Sequence, residues 1–554
     1  MVLRLLTGND PALGRLLVSS LPEDSASESW SFAEGWGDEQ ATLSAPSPET
    51  VVFLPSRHTP SPEDVHRAAA AAGRWGKAAL PHLILVSSSQ VHEPSHRHAG
   101  MLSEDRLRTS KPANAVARRW LELEGGVAAA LAPHATVLTV LRPAGLPHPG
   151  GKDLLSRLLS GPWELTLPGF NPRLQLLHPE DLAQALKTSA EARRPGIYQV
   201  VPRQVIPLRE VARAGGQRRL PLPGFLHGGA AGNPSKADEL SYLRYPWTAS
   251  GEKLERELGF TPRHTSLETV RWFRRALAPS DGRNRGPQAD PPYDPLGMDP
   301  RYIERLGRTL FRFLHDAYWR IEWQGLEHVP RQGRAVLTGI HRGHQPWDGV
   351  MALHLLAREL GRYPRFLAHP TLVKHPFLAP YMTQCGGVLA CKENAAWVLE
   401  NDEVLGVFPE GSRGAFTRYR DAYRLQSFGR HDYVRFALRH RAPIVPFVTV
   451  GSAEIFPILG KIRWPWWQRL SEWPCFPITP TLSLLPLPSK WHTLFLTPIP
   501  IHEEHPPEGA DDPRLVANLS RQVQSVLQAA LDDLRSRRRA VFWGSIFEEG
   551  DASS

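Results

Sequence analysis

The sequence predicts an α/β protein of two domains, the first a doubly wound parallel sheet. Three observations carry that expectation. The chain has 554 residues, more than one hydrophobic core accommodates. Apolar strand-like runs alternate with helical segments through its first half. Between the halves, APSDGRNRGPQADPPYDPLGMDP (278–300) is rich in Pro, Gly and Asp and reads as an exposed linker. The expected division is a first domain over 1–277, the linker over 278–300, a second domain over 301–545 and a frayed acidic tail over 546–554.

Composition narrows the class. Hydrophobic residues make up 41% and charged residues 22%, as in a globular protein. There are 53 prolines, about twice the average usage, which argues for rigid loops and short elements. The formal net charge of +9 suits anionic partners: nucleic acid, phosphorylated substrates or an anionic membrane. Three cysteines, Cys385, Cys391 and Cys475, follow no zinc or redox spacing; a reducing compartment is expected, and no metal site. The opening MVLRLLTGNDPALG lacks the pattern of a signal peptide, and no run approaches the roughly 18 apolar residues of a spanning helix. Any membrane contact is therefore expected to be peripheral.

In the first domain, strands are expected at Val2–Leu6, Thr50–Leu54, His82–Val86, Thr136–Leu141 and Gly196–Val201. Helices are expected at about Ala12–Ser20, Pro62–Gly73 and Asn114–Leu131. Six pieces in order, TGNDPALG, LILVSSSQVH, VLRPAGL, HPEDLAQAL, GIYQVV and KLERELGFTPRHTSLETV, resemble the extended short-chain dehydrogenase/epimerase family. That resemblance implies a Rossmann-like domain with Gly8 and Gly14 in its dinucleotide loop. The sequence departs from the family where the chemistry lies. Pro11 stands where the central glycine lets the backbone approach a pyrophosphate, and proline adds a ring and removes an N–H. The family's Tyr and Lys fall on Leu107 and Lys111, and leucine cannot donate a proton. Ser88 and Ser89 survive without that partner. The expectation is a degenerate domain without redox chemistry, with NAD(P) binding open.

The second domain opens with Arg301–Tyr318, where Tyr302, Ile303, Leu306, Leu310, Phe313, Leu314 and Ala317 recur at helical spacing. Arg301, Arg305, Arg308 and Arg312 lie largely off that stripe. Such a helix suits either packing on its own domain or an anionic membrane surface. A strand at Arg334–Thr338 then delivers the chain to GIHRGHQPWDGV. Asp348 suits a helix N-cap ahead of the apolar helix Val350–Leu360. A loop between strand end and helix start can hold imidazole and carboxylate together, the carboxylate fixing the tautomer while the imidazole takes a proton from a hydroxyl. His341 is the expected base and His344 its competitor. Further on, the buried-looking strand Val404–Phe408 ends in Pro409, Glu410, Gly411, Ser412 and Arg413.

Four blocks in order resemble the glycerophospholipid acyltransferase family over about residues 300–545: His341 with Asp348, Lys374–Gly387, Pro409–Arg413, and Pro443–Pro446. The resemblance implies a C-terminal α/β acyltransferase domain in which His341 is general base and Asp348 its orienting partner. It implies transfer from a thioester of coenzyme A or acyl carrier protein to a lipid hydroxyl, with no other cofactor. Glu410, Gly411, Ser412 and Arg413 then lie where the acceptor binds. Arg413 suits a phosphate, since its fork donates two parallel hydrogen bonds; it equally suits an ion pair with Glu410 or another acid. Glu410 suits holding the loop or a glycerol hydroxyl. Six residues separate His341 from Asp348 and Ile340 stands where Asn is commonest, which resembles the monoacylglycerol/diacylglycerol acyltransferase-like branch.

After this core, Trp464, Trp466, Trp467 and Trp473 cluster with Lys461, Arg463 and Arg469, a mixture suited to a bilayer interface. No recognition fold supports nucleic-acid binding. A helix over Asp512–Asp533 runs into Arg535, Arg537, Arg538 and Arg539. The sequence therefore predicts an O-acyltransferase in the cytoplasm, peripheral at the cytoplasmic face of a membrane. Its rivals are an NAD(P)-dependent oxidoreductase or epimerase run by the first domain, and a non-catalytic membrane or partner-binding scaffold.

Overall fold

Apolar pentads such as TVVFL (50–54) and HLILV (82–86) form central strands of the first half. The computed structural model describes residues 3–7, 11–20, 30–34, 48–54, 59–109, 112–151, 153–221, 234–277 and 294–547. Two compact units divide the chain, Met1–Gly297 and Met298–Ser554. Residues 278–293 of the expected linker and 548–554 of the expected tail lie outside the described residues.

The first unit carries strands β1 (Leu3–Thr7), β2 (Trp30–Glu34), β3 (Thr50–Leu54), β4 (His82–Val86), β5 (Val137–Pro143) and β6 (Gly196–Val200). They hydrogen-bond in the order β2-β1-β3-β4-β5-β6, every pair parallel. β3 and β4 are buried at every position, as parallel strands covered on both faces must be. The covering helices are α1 (Pro11–Ser19), α2 (Pro62–Lys77), α3 (Ala115–Leu131) and α4 (Pro179–Ala192). Local chemistry fixes their starts: Ser61 and Asp64 form a reciprocal capping box on α2, and the Asn114 side chain accepts from the N–H groups of Val116 and Ala117 on α3. Trp75 of α2 and Trp120 of α3 are buried in one core cluster with Phe53, Leu83 and Leu85. The expected parallel sheet is present. β2 was not expected: WSFAE has no apolar run, and as an edge strand it pairs only with β1.

In the second unit the sheet is mixed. Its strands are β7 (Glu322–Gln324), β8 (Ala335–Gly339), β9 (Arg365–Ala368), β10 (Val388–Leu389), β11 (Val404–Val407), β12 (Ile444–Val450) and β13 (His492–Phe495). Their order is β7-β13-β12-β8-β11-β9-β10. β8 pairs in parallel with both β12 and β11, while β12 and β13 are antiparallel. β8, β11 and β12 are buried throughout, so three adjacent parallel strands form the centre and end at one edge. Helix α5 (Trp347–Leu360) follows β8, and α6 (Pro513–Arg537) closes the unit, capped by Asp512.

The entry helix departs from expectation. Regular α-helix covers Pro300–Leu306, and the chain continues through Gly307–Phe311 and Phe313–Tyr318 in wider π-type turns. A wider turn advances each side chain less around the axis, so the apolar stripe counted at α-helical spacing drifts off the core. Phe311, Leu314 and His315 are buried, whereas Leu310 and Phe313 are 43% and 56% exposed. Ala317 is also exposed.

Candidate active site

β8 ends at Gly339 and β11 at Val407, and their parallel register (Thr338 opposite Val407) brings two strand-end loops side by side. One loop carries His341, Arg342 and Asp348; the other carries Pro409–Arg413. Ligands of open α/β sheets bind at such carboxyl edges.

His341 Nδ1 lies 2.9 Å from Asp348 Oδ2. The same oxygen accepts the backbone N–H of Arg342 at 2.9 Å. Asp348 is not the helix N-cap expected from sequence. It sits in the first turn of α5, where Pro346 takes the cap position, and its carboxylate turns back onto the loop. A carboxylate there is also favoured by the partial positive charge of the helix N-terminus. It is 2% exposed, while the His341 ring it holds is part-buried. The His341 ring packs against Phe408, centroids 5.2 Å apart, and Phe408 stacks on Phe366 at 5.3 Å. With Nδ1 facing the carboxylate, Nε2 is the nitrogen left for a reacting hydroxyl.

His344, the competing base, does something else. Its backbone is left-handed (φ 53°) and its N–H donates to Ala415 O at 2.9 Å. The ring is buried among Phe416, Phe456 and Trp473, centroids 5.3–5.9 Å away, with neither nitrogen hydrogen-bonded. Burial, with His341 nearby, lowers its pKa to about 4. A neutral ring walled by aromatics cannot exchange protons with an acceptor at neutral pH.

The second loop is locked by a residue that the sequence did not single out. Arg342 and Glu410 form a forked ion pair, NH1 to Oε2 at 2.7 Å and NH2 to Oε1 at 3.2 Å, with side chains only 2% and 1% exposed. Arg342 also donates from Nε to Ala422 O and from NH1 to His341 O at 2.8 Å. Glu410 Oε1 accepts from Gln426 N at 2.6 Å. Glu410 is thus a brace for the bend and offers no free carboxylate to an acceptor. Gly414 makes room for the pair: a Cβ there would lie 2.7 Å from Glu410 Cβ and 3.1 Å from Arg342 NH1. Gly411, at φ 56° and ψ −141°, turns the chain outward in a conformation that glycine alone tolerates.

Beyond that turn, Gly411, Ser412 and Arg413 are exposed. Arg413 makes no ion pair among the described residues, so the alternative pairing with Glu410 does not occur. Lys374, at the start of the middle block, is bound to Glu472 at 3.0 Å. The tryptophan cluster splits: Trp464 and Trp466 are 43% and 58% exposed, while Trp473 faces His344 and Phe416.

In the first unit, Gly14 lies inside α1 and is buried, and Gly8 lies outside the described residues. α1 begins at Pro11, so the residue at the mouth of this helix has no N–H to offer a phosphate. Leu107 lies in a short 3-10 turn, Glu104–Thr109; Lys111 lies outside the described residues. One trio of metal-ligating side chains, His178, Glu180 and His264, occurs among the described residues. The two imidazoles stack at 4.0 Å, and His178 caps α4 by accepting the Glu180 N–H.

A part-buried imidazole held by a buried carboxylate thus stands beside an exposed arginine bend, on adjacent strand ends. The second unit carries an acyltransferase-family domain: the family model described as Acyltransferase matches residues 320–450. Uncharacterised protein Rv0502 of Mycobacterium tuberculosis is 37% identical over 263 residues, covering 45% of this chain and 72% of that protein. Uncharacterised protein ML2427 of Mycobacterium leprae is 35% identical over 263 residues, 45% and 70% of the two chains. Among solved structures, human epimerase family protein SDR39U1 with NADPH matches 50% of this chain and 100% of its own, at 17% identity and a TM-score of 0.40. At that score it adds nothing to the first unit's own strand order.

Two predictions follow from this geometry. Glu410→Gln leaves the Arg342 charge buried without a counter-charge and should cost about 3–5 kcal/mol in urea unfolding. His344 is neutral when folded but titrates near its ordinary value of about 6.5 when unfolded. Its contribution to stability is therefore full above pH ~6.5 and falls as pH drops towards ~4, on the order of 3 kcal/mol in all. His344→Phe should shrink the loss of Tm between pH 7 and about pH 5 while leaving catalysis intact.

Proposed function

We propose that the second unit transfers a fatty acyl group from a thioester, carried by coenzyme A or an acyl carrier protein, to a hydroxyl of a lipid acceptor. The observation that carries this reading is the His341–Asp348 contact at 2.9 Å, with Nε2 unengaged at the carboxyl edge of the sheet. In this reaction His341 Nε2 takes the hydroxyl proton as the oxygen attacks the thioester carbon. The tetrahedral intermediate collapses, the C–S bond breaks, and the imidazolium returns its proton to the departing thiolate. Asp348 holds the tautomer and stabilises the imidazolium.

Direct transfer is favoured over an acyl-enzyme. Burial pushes the Cys385 thiol up to about 12, so it is not a thiolate at neutral pH. Burial also raises Cys475. Arg413, exposed and unpaired among the described residues, suits a phosphate on the acceptor.

A lipid acceptor also suits the surface around the loop. Gln345 donates to Ser483 O at 2.9 Å, tying the catalytic loop to a segment where Leu482, Leu484 and Leu485 are 62%, 80% and 70% exposed. Adjacent exposed leucines and tryptophans favour a bilayer interface over water. Among the described residues no helix is long and apolar enough to cross a membrane, so contact from this surface would be peripheral.

One kinetic series with a long-chain acyl thioester and glycerolipid acceptors tests the assignments. His341→Ala should lower kcat by about 10²–10⁴-fold without changing Tm. Arg413→Ala should chiefly raise KM for a phosphorylated acceptor. Wild-type rates in His341→Ala would remove the base. By the same reading the first unit is a retained scaffold, because Pro11 and Leu107 remove a phosphate donor and the proton donor. Titrating NAD and NADP into the full chain should then show no saturable binding; saturation would return the oxidoreductase reading.

A further inference from the structure

One strand away from His341, on the same carboxyl edge, lies a cleft of about 910 Å³. β12, hydrogen-bonded to β8, leads into it through Val450 and Glu454; the 419–424 segment and the end of α6 form its walls. Its volume falls in the range of small-molecule sites.

The floor is a preorganised polar network. Tyr423 donates its hydroxyl to the Glu454 carboxylate at 2.6 Å, and Arg538 binds Glu454 at 2.6 Å and the Tyr423 oxygen at 3.1 Å. Arg538 is 7% exposed and its Nε has no hydrogen-bond partner. Five arginines line the cleft against three carboxylates, and those carboxylates are engaged: Glu454 with Arg538, Asp421 with Arg420, and Asp532 with Gln528. Arg424, Arg535 and Arg539 reach the cleft with no acidic partner among the described residues.

The dipole of α6 explains arginines at its C-terminus, since cations are favoured there. It does not explain Arg424, which comes from a separate segment. Like charges gathered around a concavity repel one another unless an anion lies between them. Arg535 lies over the Tyr423 ring at 5.4 Å, and Tyr419 is 37% exposed, so flat aromatic surface stands beside the charges.

We propose that this cleft is a second ligand site that takes a phosphate-bearing ligand, separate from the Arg413 bend. The ligand's identity rests on the acyl-transfer reading: either the adenosine bisphosphate end of a coenzyme A donor, or the phosphorylated head group of a lipid. The cleft also shares a wall with the catalytic loop, because the carbonyls of Ala422 and Arg424 both accept from the Arg342 guanidinium.

Calorimetric titration of the full chain with adenosine 3′,5′-bisphosphate and with glycerol 3-phosphate, at low ionic strength, tests the site. The comparison is the double variant Arg424→Glu/Arg535→Glu, whose side chains are exposed, with unchanged Tm as the control for folding. The wild type should bind one probe, and the double variant should bind it at least about tenfold more weakly. Loss of the nucleotide probe, with a raised KM for the acyl-CoA donor and unchanged kcat, assigns the donor. Loss of the glycerol phosphate probe, with a raised acceptor KM, assigns the head group. His341→Ala should keep probe binding, which separates this site from the catalytic assignment. Absence of binding to the wild type, or equal binding by wild type and double variant, overturns the proposal.

Discussion

The second unit depends on the ion pair between Arg342 and Glu410. It joins the ends of two neighbouring strands, and every element of the site is tied to one end of it. Arg342 follows His341 directly, and its peptide N–H donates to Asp348. Glu410 precedes the outward turn that exposes Arg413. Two ions this deeply buried do not by themselves add stability, because desolvation offsets their attraction. What the pair supplies is position. With fork and carboxylate both filled by additional hydrogen bonds, the two loops have one arrangement, and the imidazole inherits it.

The two units show opposite fates of the same architecture. Both place parallel strands side by side and leave loops at a carboxyl edge. In the second unit those loops carry His341, the Asp348 carboxylate that holds it and Arg413, which makes no ion pair among the described residues. In the first, the corresponding first loop runs into a helix whose opening residue is proline. The first unit's sheet, in the order β2-β1-β3-β4-β5-β6, coheres through side chains such as Phe53, Trp75 and Leu85, which share one buried cluster.

Much of this was legible in the sequence, and the losses have physical reasons. Central strands such as Thr50–Leu54 and Ile444–Val450 are apolar on both faces, so their composition announces them. The edge strand Trp30–Glu34 is not apolar and went unseen. Leu310 and Phe313 fall off the core because the turns there are wider than the regular α-helical pitch that their spacing implies. His341 and Asp348 were readable because they share one loop. Arg342 was not, because its partner lies on another strand, and only the β8–β11 register brings position 342 to position 410. The choice between His341 and His344 needed three dimensions too, since only the surroundings distinguish a ring facing a carboxylate from one enclosed by Phe416, Phe456 and Trp473.

Asp348 uses one oxygen for two tasks, gripping the ring of residue 341 and the peptide of residue 342. The backbone between that grip and α5 becomes a closed lariat whose geometry is set at its neck. Gln345, inside the lariat, reaches outward to Ser483. A change at that outward reach therefore alters the leucine-lined side of the loop while its neck stays closed.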